Sequence, residues 1–468
     1  MVKIYDMAVV GGGPGGYVAA LRARQLGLSV ILIEKEKVGG VCLNRGCIPT
    51  KALLADVEGF QWARRAAKEG IIDQPPRIDF SSMMERKSRV VGKMVANLEE
   101  LLAAKGVTVM RSAAKVVEPG TIMNETGELI RCKNIVLATG SSSWTPPISG
   151  ADLPGVLTTR QILELKRIPE KLVIIGGGVI GQEFAAIFSI IGSKVTVVEV
   201  LDRILSEVDT EIARRYGSLL PGYGVSTELS AQVKAIEKTG DLLRVVYEKR
   251  GKEKSCEADA VLMATGRRPY LEGLGLAESD VKVKNRAIDV DQCLRTSVEG
   301  IYAIGDVTGR KMLAHVASYH GEVVAENIAG RKRDVEDDLV PGCVFTTPQI
   351  AWVGLTEEHA KASGRPFRTS IYSLASSGKA QAMGEARGWL KLVEDSETGR
   401  LVGAHFLGPQ VSELIGGVTL AIRKGLSAAD IIKTIFPHPT LSEGLREAAL
   451  GFADGPIHSE PRTRSFGN

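Results

Sequence analysis

Met7-Ala8-Val9-Val10-Gly11-Gly12-Gly13-Pro14-Gly15-Gly16 runs from four apolar residues into a glycine cluster, and its reading decides the fold. The apolar run suits a buried strand of a parallel sheet, the glycines a tight turn, and the pattern through Ala23 a helix. A second strand, Val30-Ile31-Leu32-Ile33, ends in Glu34. The unit then recurs. Leu172-Val173-Ile174-Ile175 leads into Gly176-Gly177-Gly178-Val179-Ile180-Gly181, a helical stretch over 183–191, and Val195-Thr196-Val197-Val198-Glu199. The two first glycines and the two acids each lie 165 residues apart (176 − 11 and 199 − 34), so glycine-to-acid spacing is the same in both copies. Each copy closes on a strand followed by Ala-Thr-Gly, at 138–140 and 264–266.

One Gly-x-Gly-x-x-Gly is a weak signal, but two in the context strand, turn, helix, strand, acid point to two dinucleotide sites. Gly11 and Gly176 permit the turn, Gly13 and Gly178 let the backbone approach a pyrophosphate, and Gly16 and Gly181 let helix and strand pack closely. Glu34 and Glu199 are placed to accept from a ribose 2′-hydroxyl. Glu199 is followed by Val200-Leu201-Asp202-Arg203 with no basic cluster, which favours NAD over NADP, with Arg203 the one residue against it.

The 468 residues, 50.1 kDa, suit about three domains. With 44% hydrophobic and 24% charged residues, the chain is globular in composition rather than disordered or collagenous. Its net charge of +4 is scattered, which gives no support to nucleic-acid binding. An opening that runs straight into a strand, with no apolar run of membrane length, leads us to expect a cytoplasmic protein without a membrane span. After Arg268-Pro269 the pattern weakens until a buried strand ends in Gly305-Asp306. Beyond about Pro341, strands over 389–393 and 401–407 and helices over 411–424, 428–434 and 442–450 read as a third, α+β domain.

The first copy is longer by an insertion that holds helical segments over 50–68 and 80–104 and the pair Cys42-Leu43-Asn44-Arg45-Gly46-Cys47. Two unrelated thiols, half a zinc site and a redox pair are the readings open to it. Zinc would want closer spacing and a second pair, and Cys132, Cys256, Cys293 and Cys343 are isolated, so no metal site is expected. The redox reading fits best. Pro49 in a first helical turn places Cys47 at a helix N-terminus, and Lys51 follows one turn later on the same face, both favouring a thiolate. His438 stands between two prolines. Glu443 can close a capping box with Thr440, orient the imidazole, or do both.

The segment from Val38 to Lys51 resembles the redox-active disulfide segment of the FAD-dependent pyridine nucleotide-disulfide oxidoreductases. The Gly176 turn, Ala264-Thr265-Gly266-Arg267-Arg268-Pro269, Ala303-Ile304-Gly305-Asp306 and His438-Pro439-Thr440-Leu441-Ser442-Glu443 follow in that family's order. The resemblance spans the chain. It implies an α/β protein with two Rossmann-like domains, for FAD and NAD, and a C-terminal α+β dimerisation domain. The divisions it implies are 1–150 for the first part of the FAD domain, 151–271 for NAD, 272–342 for the return to the FAD domain, and 343–468 for the interface. It also implies that Cys42 exchanges with substrate and Cys47 faces the flavin, that Lys51 pairs with Glu183, and that His438, oriented by Glu443, serves as base toward the disulfide of the other subunit. Ala114, Thr139, Gly140, Ser141, Asp306, Met312, Leu313, Ala314 and His315 match FAD contacts, and Val233 and Gly266 NAD contacts.

Met312-Leu313-Ala314-His315, Gly403-Ala404-His405-Phe406-Leu407-Gly408-Pro409 and the His438 segment are most similar to the member that oxidises protein-bound dihydrolipoamide with NAD+. The implied partners are a second copy and a lipoyl-bearing protein. A glutathione-type reductase would prefer NADPH and carry basic residues after the second acid. A mercuric-type reductase would carry terminal cysteines, and none follows Cys343. Retention of Cys42, Cys47, His438 and Glu443 together speaks against a non-catalytic flavin-binding subunit. Three stretches depart from the pattern: Tyr319-His320 where the family usually has acidic residues, Phe436-Pro437 before His438, and the tail after Ala453.

Overall fold

The computed structural model describes residues 3–460 and 462–466. The apolar run 7–10 is wholly buried at the end of the strand Ile4–Val10. That strand pairs in parallel with Val30–Glu34 on one side and Leu129–Leu137 on the other. Thr108–Arg111 and Ile301–Ala303 extend the parallel core at its two ends. Strands covered on both faces read as unbroken apolar runs, which is why this sheet is legible in the chain. The first half of Leu129–Leu137 instead pairs antiparallel with Thr121–Asn124, and that strand with Ala114–Glu118, completing seven strands. Helix Pro14–Gln25 packs on helix Ala314–Ile328 so closely that a Cβ on Gly321 would strike the Gly15 carbonyl.

The second copy builds a five-stranded parallel sheet in the order Val225–Glu228, Lys194–Val198, Lys171–Ile175, Ala260–Met263, Val156–Leu157. A three-stranded antiparallel sheet, Ala231–Thr239, Leu242–Lys249 and Lys252–Ala258, packs Ile236, Leu243 and Val245 against Val173 and Val261. The two units are laced together reciprocally. Ser141–Ser143 pairs with Arg267–Pro269, Thr139 Oγ1 donates to the Tyr270 carbonyl at 2.9 Å, and Thr265 Oγ1 donates to the Trp144 carbonyl at 2.6 Å.

The inserted helices Cys47–Lys68 and Phe80–Ala104 place Leu53, Leu54, Val57, Phe80 and Met83 in one apolar cluster with Phe184 and Phe188 of the second unit's helix Val179–Ile190. The cysteine-bearing helix is thereby seated on the second nucleotide module.

The third unit is a six-stranded antiparallel sheet in the order Gly342–Val344, Gln349–Gly354, Leu401–Gly408, Trp389–Asp395, Phe367–Ser373, Thr463–Phe466. Helices Val411–Arg423, Ala428–Lys433 and Glu443–Leu450 belong to the same unit. Its last strand lies in the tail, where Phe466 stacks on Phe367 with ring centroids 4.9 Å apart. At the junction with the second unit, fully buried Lys391 donates to both Asp209 oxygens at 2.9 Å and to Glu357 at 2.8 Å. Among the described residues no helix is long and apolar enough to cross a membrane.

Candidate active site

The two glycine turns are near copies. Gly11 and Gly176 have φ of +107° and +110°, where an L side chain is strained, and a Cβ on either would run into the carbonyl of Ala138 or Ala264 at the end of the neighbouring strand. Gly16 and Gly181 lie against the carbonyls of Gly11 and Gly176. The middle glycines differ in kind: a Cβ on Gly13 would come no nearer than 4.0 Å to any atom, and one on Gly178 would meet nothing within 4 Å. Both are N-caps with no side-chain cap, and neither helix has an acidic residue in its first turn, so amide groups stay available for an anion. The turns therefore fit a pyrophosphate each.

Glu34 accepts from the amides of Gly12 at 2.7 Å and Glu36 at 2.8 Å; Glu199 accepts from Gly177 at 2.6 Å and Leu201 at 2.8 Å. Each carboxylate is fixed by the turn it faces, with lone pairs left for a ribose hydroxyl. Ala114 and Val233 occupy equivalent places, two residues beyond the amides of Ser112 and Ala231 that bond the carbonyls of Glu34 and Glu199. Gly140 and Gly266 have φ of +71° and +112° and face open space. Arg203 donates to the Ser206 carbonyl at 3.2 Å.

Cys42 lies in the short helix Gly40–Arg45, and Cys47 begins the long helix Cys47–Lys68. The two thiols set each other's ionisation: Cys42, aided by Lys51 and opposed by burial, holds the Cys47 thiol down at about 7, while Cys47 and burial push Cys42 up. Lys51 Nζ donates to both Glu183 oxygens at 2.8 Å and lies 4.6 Å above the Phe345 ring, and the Phe345 amide donates to Glu183 at 3.1 Å. The cation thus bridges insertion, second module and third unit. A cleft of about 230 Å³ opens beside it, lined by Glu58, Thr347, Gln349 and Glu413 among others.

Asp306 is the second residue of the turn Gly305–Thr308 and accepts from Ser141 Oγ at 2.5 Å. Arg267 donates to the same hydroxyl at 2.8 Å and to the Ser141 carbonyl at 2.6 Å. Burial lowers the Arg267 pKa, with Asp306 and Cys47 close enough to work against it. Met312 and Leu313 are partly exposed ahead of helix Ala314–Ile328, and His315 Nε2 bonds the Pro341 carbonyl at 3.0 Å.

His438 Nδ1 lies 2.9 Å from Glu443 Oε1, and the other Glu443 oxygen accepts from the Thr440 amide at 2.8 Å. Burial raises the Glu443 carboxyl, but the Thr440 amide and His438 outweigh it and hold it below its ordinary value. With Nδ1 donating to the carboxylate, Nε2 is left as the free acceptor. The expected capping box is only half present. The helix Glu443–Leu450 is N-capped by Ser442, and Thr440 Oγ1 turns to Pro437 O and Ser442 Oγ, the chain bending at 438–439 before it reaches the helix. The His438 side chain is 79% exposed, so it faces outward from its own subunit.

The profile described as pyridine nucleotide-disulphide oxidoreductase matches residues 5–321, and that family's dimerisation domain matches residues 340–449. The chain belongs to this family of oxidoreductases. Among its relatives, the dihydrolipoyl dehydrogenase of Bacillus subtilis is 38% identical, covering 97% of this chain and 99% of that one. That of Geobacillus stearothermophilus is 40% identical over 97% of each. Among solved structures, the HOCl-induced flavoprotein disulfide reductase RclA from Escherichia coli superposes with a TM-score of 0.87 at 31% identity, covering 95% and 99% of the two chains. As an oxidoreductase of this family, the chain is an α/β protein that carries the family's dimerisation domain.

The sequence alone assigned no role to Arg267, which stands in a quoted motif, or to Phe345, which stands in none. Arg267 was visible only as part of Ala-Thr-Gly-Arg-Arg-Pro, and nothing in that string says which arginine turns inward. Phe345 had no signal, since its contact is made across two units of the fold.

Proposed function

We propose that this chain is a dihydrolipoyl dehydrogenase, working as a homodimer with FAD and NAD on a separate lipoyl-bearing protein. A cytoplasmic location goes with that reading. The observation that carries it is the Cys42–Cys47 pair, with Cys47 drawn toward the thiolate beside Lys51 and Glu183, placed between two dinucleotide turns. Full-length relatives of 38–40% identity that bear this name support it. Residues around Gly11–Gly16, Glu34, Ala114, Ser141 and Asp306 would hold FAD, and those around Gly176–Gly181, Glu199, Val233 and Gly266 NAD. When bound, FAD supplies a two-electron exchange between thiols and nicotinamide that neither partner makes directly.

The protein's own groups do the rest. His438 Nε2, from the partner subunit, takes the proton of one substrate thiol. The thiolate attacks Cys42 of an oxidised Cys42–Cys47 pair, the new S–S bond forms there, and Cys47 leaves as thiolate. The second substrate thiol, its proton passing to the departing Cys42 sulfur, attacks the substrate sulfur of the mixed disulfide and frees Cys42 as a thiol, so the dithiol is oxidised and the cysteine pair reduced by two electrons. Lys51, held by Glu183, keeps positive charge beside the departing Cys47 sulfur.

Anaerobic addition of dihydrolipoamide to the flavin-loaded protein should bleach its flavin absorbance, and NAD+ should restore it with NADH formed. Absence of bleaching, with glutathione disulfide and NADPH turned over instead, would assign the chain to a different substrate within the same family.

A further inference from the structure

The departure at Tyr319-His320 has a structural counterpart. His320 sits on helix Ala314–Ile328 with 0% of its side chain exposed. The Gly305 amide donates to its Nδ1 at 3.3 Å, so Nδ1 is the unprotonated nitrogen and Nε2 carries the proton. Nε2 in turn faces Asp337 Oδ2 at 3.4 Å, an oxygen also 3.4 Å from Arg310. Gly305 is the residue before Asp306, and Asp306 accepts from its other side a hydrogen bond of Ser141, whose hydroxyl and carbonyl in turn accept from Arg267. A continuous chain of contacts therefore runs from Asp337, on the wall of a cavity of about 380 Å³, through the imidazole into the turn that presents Asp306.

We propose that His320 is a positioning residue for the flavin cradle: as the neutral, Nε2–H imidazole it anchors the Gly305 amide and so fixes where the Asp306 carboxylate points, and protonation releases that anchor. The inference rests on the reading that Asp306 binds FAD. A second proton on Nδ1 would set two N–H donors against each other, leave the Gly305 amide unsatisfied in a buried place, and loosen the turn. The groups that face the ring are few. Asp337 and Arg310 carry opposite charges at its Nε2 edge, Asp306 lies one residue from the bonded amide, and Tyr319 is its ring neighbour at 6.3 Å. Helix Pro14–Gln25 packs alongside with Gly15, Val18 and Ala19 near Gly321, none of them titratable. Burial holds the His320 pKa below its ordinary value despite Asp337, so the anchor is intact at neutral pH and is lost only on acidification.

The test uses the FAD-loaded protein, its flavin fluorescence and FAD dissociation constant followed from pH 8 down to pH 5, for wild type, His320→Asn and His320→Leu. Asn keeps an acceptor near the Nδ1 position and cannot titrate. Wild type should show an acid limb, with FAD affinity falling about tenfold below the ordinary histidine pKa of about 6.5. His320→Asn should bind FAD within about threefold of wild type at pH 8 and lose the limb, while His320→Leu should bind at least tenfold more weakly at every pH. An acid limb retained unchanged in His320→Asn, or wild-type affinity in His320→Leu, overturns the proposal while leaving FAD binding intact. A wild-type protein that takes up no FAD overturns the functional reading itself, and this inference with it.

Discussion

At the residue scale, the state of the cysteine pair follows from the influence of each thiol on the other and from one cation. Cys42 and then Lys51 lower Cys47, against burial, to about 7, so near neutral pH the reduced protein holds a substantial fraction of one thiolate. Replacing Cys42 by Ala should raise that ionisation by about a unit or more, and Lys51→Met should raise it by less. Thiolate absorbance of the reduced protein against pH measures both; an unchanged midpoint in both variants would place the cause elsewhere. His438 belongs to the same scale. His438→Gln should slow dithiol oxidation by about 10²–10⁴-fold, the range of general acid–base catalysis, and leave reduction of the cysteine pair by NADH within about twofold. Stopped-flow measurement of the two half-reactions separates those outcomes. The cysteine motif and the lysine were legible from spacing. The pairing of Lys51 with Glu183 was legible only through the family resemblance, since 132 residues separate them.

At the element scale, the two strand-turn-helix units share a geometry but should fail independently. Gly16→Ala and Gly181→Ala each drive a methyl into the carbonyl of the turn's first glycine, an overpacking cost of about 1–3 kcal/mol. Gly16→Ala should lower flavin content, whereas Gly181→Ala should keep the flavin and weaken NADH binding. Thermal melts with flavin absorbance and an NADH titration distinguish them, and equal loss of both ligands in both variants would refute the assignment of one dinucleotide per turn. Helices over 80–104 and strands such as Val30–Glu34 were read almost to the residue, because their period and flanking turns agree. The sheet spanning Ala231–Ala258 was not. Its Lys- and Glu-rich strands have one solvated face, and the charge masks the alternation. The strand Thr463–Phe466 was missed as well, since four residues gain their state only by pairing with Phe367–Ser370.

At the scale of the whole molecule, the third unit is joined to the second by a buried ionic cluster. Lys391 faces Asp209 and Glu357 at full burial, with Glu211 at 3.4 Å and Arg464 3.5 Å from the same Glu211 oxygen. Removing the cation leaves buried Asp209 without its ion-pair partner and Glu357 with Lys361 alone, so Lys391→Met should destabilise by about 3–5 kcal/mol, read by denaturant melts. Burial raises Asp209, but His405 and Lys391 outweigh it, and Glu357 is likewise held down against its burial by Lys361 and Lys391. Their contribution is therefore complete above the ordinary carboxylate range of about 4 and is lost as pH falls through their lowered values. The acid limb of stability should be shallower in Lys391→Met than in wild type; an equally steep limb would mean that other carboxylates dominate it.

Local chemistry written in the chain determined the two nucleotide units, the redox pair and the third domain. Strand runs, glycine turns, a helix N-terminus and a nearby lysine act over a few residues, and their physics needs no distant partner. Tertiary structure alone decided which side chains meet across the units. Lys51 reaches Glu183 and Phe345 because the inserted helix packs on the second module, and Arg267 meets Ser141 because the two units are laced strand to strand. His320 shows the division most plainly. Its place in the string marks a departure from the family, but only the packing of its helix on the Gly305 turn buries it and sets which nitrogen holds the proton.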